Sequence, residues 1–578
     1  MSEATAPVPE SAPPGRAFPS CLWHRELSQY PTTGRRAGFL AIVVLAAVVL
    51  YYEQYVAGSV STSILGHYGM SFRYYLTIVV VASAIGAVAS LAAGLADRWG
   101  RANLVVVGLL VAGLVTTFGV PHAGSALAFG ACYATIGLVE GVVLVATPAL
   151  VRDFSPQVGR GTAMGLWSLG PVVGSLVVAE VSSNTLSHLH AWQDQYTIAG
   201  ITGLVVFVAA LLALRELAPP LRDQLMVTRR DRLLVEARAR GIDVETATRR
   251  PWRQMLHADV LVPATALSVF LLIYYAAVGF FVIYFTTVFG FSEQRADALG
   301  NWFWATDAVV VVVAGVVSDR LHVRKPFMVA GGIGAVVMTI VFATRATDPA
   351  TTYVDFILIV SVLSAFRGAT YSPWMAAFTE TVERRNPALV ATGLAVWGWI
   401  LRVVVALTFL VVPFVVTSVT PLVAYGPRVK AITTTYAPEV ATIAAVPPAT
   451  LAVLRTDPTD GPAITVALHA IATREHVSVA EAITRLKALK AMPLADRAYL
   501  QAHGVAVRSA KQNAPVQWKR WWWVCLAGEV VFLPAVLLMV GRWRPSKARA
   551  DAEAHRRLVD RELARLAETG SSPVGSPV

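Results

Sequence analysis

The stretch Ala93-Gly94-Leu95-Ala96-Asp97-Arg98-Trp99-Gly100-Arg101 decides the fold. An apolar run beginning near Tyr75 precedes it, and another beginning at Asn103 follows. One carboxylate and two guanidiniums are costly in hydrocarbon, so the stretch reads as a tight polar turn at a membrane face. An echo stands at Gly315-Val316-Val317-Ser318-Asp319-Arg320-Leu321-His322-Val323-Arg324-Lys325, again between two apolar runs. Asp97 and Asp319 are 222 residues apart, which points to a duplicated membrane unit.

Composition supports a bilayer as solvent. Of 578 residues, 56% are hydrophobic and only 15% charged, against roughly 25% charged in soluble domains. Mean hydropathy is +0.58. The formal charge of +12 reflects Arg and Lys clustered between apolar runs, as the positive-inside rule expects. It therefore points to membrane lipid and not to nucleic acid. Cys21, Cys132 and Cys525 fall in a tail and two apolar runs, which implies no disulfide framework. The chain carries no nucleophile elbow, phosphate-binding Gly loop, Walker sequence or zinc-spaced His/Cys cluster, so neither an enzyme nor a cofactor or metal is expected.

The apolar runs predict an all-α membrane protein with twelve spans. They fall at about 37–60, 75–96, 103–121, 126–150, 161–182, 196–214, 260–287, 299–318, 326–344, 353–376, 388–417 and 519–541. Residues 1–36 are rich in Pro, Ser and Ala and lack the apolar core of a signal peptide, so they read as a disordered tail. Residues 37–214 hold the first six spans and 260–420 hold spans seven to eleven. Residues 518–543 hold span twelve, and 544–578 form a second tail. Arg35 and Arg36 place the N-terminus in the cytoplasm, which makes both tails cytoplasmic. The arginine-rich linker 215–259 is then cytoplasmic too. Leu221, Leu225, Leu233 and Leu234 suit a short amphipathic helix on the membrane surface there, and a solvated connector is the alternative.

Charged residues inside spans are the candidate functional groups. Glu53 lies within span one, in Tyr51-Tyr52-Glu53-Gln54-Tyr55. Tyr274-Tyr275 of span seven echoes Tyr51-Tyr52. Glu140 stands thirteen residues before Asp153, and Arg367 thirteen before Glu380. Glu140 is thus about 20 Å inside by helix rise, and Arg367 takes the matching place in span ten. Superposing the halves suggests that the two face each other across a central cavity; the alternative is that each pairs within its own half. Asp307 of span eight, about 18 Å inside, is a coupling carboxylate or a hydrogen-bond partner of Trp302 or Trp304. An Arg402–Glu529 contact is conceivable between spans eleven and twelve. Glu53, Tyr52, Glu140, Tyr274, Asp307 and Arg367 form the candidate cavity set. In span five, Gly170, Pro171 and Gly174 permit close helix approach and a bend, which is the chemistry of a hinge.

Residues 421–517 interrupt spans eleven and twelve on the extracytoplasmic side. Ser478-Val479-Ala480-Glu481 is a capping box opening a helix through about Met492, with Ile483, Leu486 and Leu489 on one side. The insertion reads as a helical cap whose role is partner binding, gating or neither. Trp518, Trp521, Trp522 and Trp523 read as an interfacial aromatic belt.

The quoted turns resemble the loop signature of the major facilitator superfamily. Leu95, Ala96, Asp97, Arg98, Gly100 and Arg101 match it, as do Gly315, Asp319 and Arg320 in the second copy. Asp153-Phe154-Ser155-Pro156 through Arg160-Gly161 resembles the family's loop after span four. Gly170-Pro171 and Gly174 are similar to its antiporter signature, with Ser175 in place of the final Gly. Tyr133 stands where many proton antiporters carry an arginine. The resemblance implies two pseudo-symmetric six-helix bundles around a site open alternately to each side. It implies that Asp97, Arg98, Arg101, Asp319 and Arg320 form a conformational latch, the arginines engaging acids of the facing bundle. The expected activity is secondary transport of a small organic solute across the plasma (inner) membrane, coupled to protons. A transporter-like sensor or assembly factor acting through the insertion on a protein partner is the alternative.

Overall fold

A computed structural model of the chain describes residues 24–90, 99–155, 165–219, 251–386, 389–489 and 492–547, with isolated positions elsewhere. Asp97, Arg98, the loop 156–164 and most of the 215–259 linker, with Leu225, Leu233 and Leu234, lie outside the described residues.

The first half comprises span 1 (Thr33–Ser59), span 2 (Phe72–Ala89), span 3 (Arg101–Gly119), span 4 (Ala126–Phe154), span 5 (Gly170–Thr185) and span 6 (Trp192–Ala213). The second comprises span 7 (Ala258–Val288), span 8 (Glu293–Leu321), span 9 (Lys325–Arg345), span 10 (Tyr353–Arg385), span 11 (Val390–Val415) and span 12, within the helix Leu494–Ala535. Eleven of these are long and apolar enough to cross a membrane among the described residues. Span 5 is the short one, and it starts anew at Gly170 after a turn at Leu169, with Pro171 in its first turn.

The halves repeat at the level of backbone. Gly69 (φ 59°) and Gly290 (φ 69°) hold the same left-handed turn 221 residues apart. Neither tolerates a side chain cheaply there, since positive φ costs an L-residue about 1 kcal/mol. Two residues on, Ser71 Oγ accepts the Tyr74 N–H and Ser292 Oγ the Arg295 N–H, each at 3.2 Å. These serines cap spans 2 and 8. Pro148 and Pro373 sit inside spans 4 and 10 in turn. The halves meet where span 1 packs on span 7, span 2 on span 11 and span 5 on span 8. Gly58 permits the first contact: a Cβ there would stand 2.2 Å from the Val278 carbonyl oxygen.

Three expectations change. Part of the 1–36 tail is built into the fold: Glu26–Leu27 (β1) pairs in parallel with Glu216–Leu217 (β2). The buried Arg25 donates to the Ala210, Leu211 and Leu214 carbonyls at 2.7–3.2 Å. Those carbonyls are the ones a helix end leaves open, so a cation is favoured there. Second, Trp518, Trp521 and Trp522 are core and not an interfacial belt, each at most 2% exposed. Tyr284 and Phe342 pack edge-on against Trp522. Only Trp523 of the four is exposed. Third, the helix carrying span 12 begins at Leu494, so the end of the 421–517 insertion is a continuous extension of it.

The rest of the insertion is a chain of short helices: Val419–Ala424, Gly426–Thr435, Ala437–Ala445, Pro448–Thr456, Gly461–Glu475 and Val479–Ala488. Ser478 Oγ caps the last by accepting the Glu481 N–H, while the Glu481 carboxylate turns to Arg485. Ala445, Val446, Ala467, Ile471 and Ala482 form a small core of their own.

Candidate functional site

One end of the molecule is tied shut between halves, the end that carries the cap. Ser59 Oγ donates to Asp297 Oδ2 at 2.8 Å and lies 2.7 Å from Ser182 Oγ, all three buried. Glu293 accepts from the Ser63 N–H at 2.7 Å and from its hydroxyl at 2.5 Å. Thr62 and Thr286 hydroxyls lie 3.2 Å apart, and Gln294 and Asn301 both reach Ser183. Apart from Ser59–Ser182, each bond joins spans 1 or 5, or the short helix Ser61–Tyr68 after span 1, to spans 7 or 8. Asp297 and Glu293 sit in the first turns of span 8 and were no part of the expected set. Their spacing of four residues on one helix face is the signal that could have marked them.

At the opposite end, the ion pairs among the described residues stay within one half. Arg101 meets Asp153 at 2.5 Å. Arg324 meets Asp319 at 2.5 Å and Glu380 at 3.2 Å, and Arg385 meets Asp259 at 2.8 Å. Arg101 thus pairs with an acid of its own bundle, and Arg320 is exposed. The reason is local: Asp153 and Glu380 close spans 4 and 10 directly beside the turn that brings in each arginine. The span 3 N-terminus takes Glu216 as its anion, through the Arg101 N–H at 2.7 Å. Burial pushes the Glu216 carboxyl up, and the Arg101 and Ala102 N–H groups pull it back.

Between these ends Tyr51, Glu140, Tyr275 and Tyr371 keep part of their surface open, and the space they open onto is a chamber. Arg367 forms a buried ion pair with Asp307, the two side chains being 2% and 0% exposed. The guanidinium also lies 4.7 Å from the Tyr274 ring centre and 5.5 Å from that of Phe303, a cation–π cage. Gly368 makes room for the carboxylate, since a Cβ there would stand 3.0 Å from Asp307 Oδ1. Across the chamber, the half-buried Glu140 lies within electrostatic reach of Arg402 in the other half. Tyr51 and Tyr275 feel both charges, and Tyr371 feels Asp307 and Arg367. The neighbouring Gly141 serves packing instead. A Cβ on it would stand 2.0 Å from the Gly86 carbonyl, so its bareness lets span 4 press against span 2.

Asp307, Arg367 and Tyr274 are thus brought together, and Glu140 faces them from the other half. The partner of Arg367 is Asp307 and not Glu140, because spans 8 and 10 are neighbours and the carboxylate lies at the same depth. A buried guanidinium cannot wait for a partner across open space. Glu53 and Tyr52 stand apart, inside the first half. Glu53 is fully buried, its carboxyl abuts Gly203 of span 6, and no hydrogen bond reaches it. Glu529 accepts from Thr339 at 2.9 Å, so it does not pair with Arg402. Gly170 and Gly174 press span 5 on Tyr51 of span 1, where a Gly174 Cβ would stand 2.7 Å from the Tyr51 Cβ. Among the described residues no His/Cys/Asp/Glu group could hold a metal ion.

A helical, multi-pass protein with two repeated halves around a charged chamber is a membrane transporter in class. Residues 43–406 match the Major Facilitator Superfamily, and the chain belongs to that family. The crystal structure of a bacterial homologue of the human lysosomal transporter Spinster, inward-facing and unoccupied, is similar over 87% of this chain and 99% of its own, at 14% identity and TM-score 0.55. The proton:xylose symporter XylE bound to 6-bromo-6-deoxy-D-glucose is similar over 68% of this chain and 91% of its own, at 13% identity and TM-score 0.51. The efflux pump radE of Floropilus chiversii is 30% identical over 171 residues, 27% of this chain. The match spans 31% of that relative's length.

Proposed function

We propose that the chain moves a small organic solute across the plasma (inner) membrane by alternating access, coupled to protons. The observation that carries this is the Asp307–Arg367 pair caged by Tyr274 and Phe303. A buried ion pair adds little to stability, and well-packed apolar residues often do as well or better. Its worth lies elsewhere: a proton on Asp307 cancels the charge that holds Arg367 and frees the guanidinium towards the chamber. Intramembrane carboxylates of this kind mark ion pathways. Glu140 and Arg402 supply the facing wall, and Ser59, Asp297 and Glu293 the outer gate. With the termini cytoplasmic, the tied end is the outward one. The names of the similar proteins, a symporter and an efflux pump, support transport and leave both directions open.

The test has two stages. A thermal-shift screen of purified protein against organic acids, sugars and cations finds ligands, and each ligand's flux is then measured in proteoliposomes with an imposed pH gradient. Flux that follows the gradient in wild type and not in Asp307→Asn is expected. Flux indifferent to the gradient would overturn proton coupling. The insertion's separate small core favours one second reading, a sensor or assembly factor using 421–493 to hold a protein partner. Intact flux with a lost partner after excision of that segment would favour it.

A further inference from the structure

The cap overhangs an open cavity of about 2090 Å³, more than the roughly 300–1,000 Å³ that suits drug-sized ligands. Its walls are apolar, with Leu451, Leu468, Ile483, Leu486 and Val505 among them. Lys430, Arg474, Lys487, Arg497, Arg508 and Lys511 also line it, and no Asp or Glu does among the described residues. This bias is not imposed by the insertion's composition, since residues 421–517 carry six acids beside ten Lys and Arg. Three of those acids are occupied elsewhere: Glu475 and Glu481 bind Arg485, and Asp496 binds Arg428. Neither arginine lines the cavity. Of the six cations, Arg474 donates to the Ala444 and Ala445 carbonyls. None is in an ion pair among the described residues, and Arg497 Nε is buried without a hydrogen-bond partner. The floor is the outer gate itself, for Thr62 and Thr286 line the cavity and meet each other at 3.2 Å.

We infer that this cavity binds an amphipathic organic anion, an apolar chain or ring system bearing one acidic head, and stands as the vestibule of the outer gate. The apolar walls take the body out of water. The cations hold the head where no carboxylate competes. Binding stands on the cavity alone; the handover through the gate rests on the transporter reading.

The full-length protein in neutral-lipid nanodiscs is titrated with dansyl-labelled undecanoic acid and with its primary amide, with empty nanodiscs as the blank. Saturable binding of the acid is expected. The amide should bind at least about tenfold more weakly, as should the acid to the variant Lys487→Gln/Arg508→Gln/Lys511→Gln, three exposed positions whose exchange leaves the melting curve in place. A diazirine fatty acid should label peptides between 426 and 511. Equal binding of acid and amide, or undiminished binding to the triple variant, overturns the inference. So does displacement of the probe by anionic two-chain lipid doped into the disc, which would assign the cavity to the bilayer. Binding uses no gradient, so saturable binding in a protein that moves none of its ligands across the membrane would sink the transporter reading and leave the cavity's ligand class intact.

Discussion

The two halves share a backbone and differ in charge. Gly69 and Gly290, and Ser71 and Ser292, repeat the same turn and cap, and spans 4 and 10 each hold a proline, Pro148 and Pro373. Midway down the corresponding spans 4 and 10 the repeat breaks, with Glu140 in one half and Arg367 in the other. The second half neutralises its charge internally, through Asp307. Among the described residues of the first half no cation pairs with Glu140, which lies within electrostatic reach of Arg402 instead. The halves share what folds them and differ in the charges midway down these spans, and the proposed transport function rests on that difference.

The harshest way to break this comparison is Arg367→Gln. It leaves Asp307 buried and alone, and losing one partner of such a pair costs about 3–5 kcal/mol. Melting of the purified protein should fall by many degrees. Adding Asp307→Asn should restore much of the melting and none of the gradient-driven flux. Recovery of flux in the double variant would mean that the pair only holds the helices together.

A gentler test asks which arginine Glu140 answers to. Glu140→Gln should reduce flux and lower the melting temperature far less than Arg367→Gln does, because Glu140 is in no ion pair among the described residues and keeps part of its surface open. In double-variant cycles Glu140→Gln should couple to Arg402→Gln and act additively with Arg367→Gln. Coupling to Arg367 alone would reverse the assignment of partners. The mildest test probes what the halves share. Ser71→Ala and Ser292→Ala should each cost about 1 kcal/mol, with similar losses in thermal or denaturant unfolding. Unequal losses would show that one cap has taken on a further load.

The number of spans, their order and the repeat were legible because hydropathy reports depth. Arg367 and Asp307 were found by counting helix rise from Glu380 and Asp319, which is also a depth measurement. What depth lacks is azimuth. Glu140 and Arg367 stand at one level, yet rotation about their helices decides whom they meet, and that depends on packing between spans distant in sequence. Arg402 was matched with Glu529 for the same want of azimuth. Four tryptophans near the head of span 12 read as a belt because the helix was taken to begin there. It begins at Leu494, and Tyr284 and Phe342 cover the rings of Trp518 and Trp522. Asp297 and Glu293 escaped notice because acids near a span end are ordinarily solvated.

The helix Leu494–Ala535 has 42 residues, about 60 Å by helix rise, against a hydrocarbon core of roughly 30 Å. It is a lever arm with one half in the lipid and the other among the cap helices. In the proposed alternating-access cycle its outer portion would swing with the second half and redraw the space beneath the cap. A binding protein raised against the cap, touching nothing in the membrane, should therefore be able to freeze the whole cycle from outside.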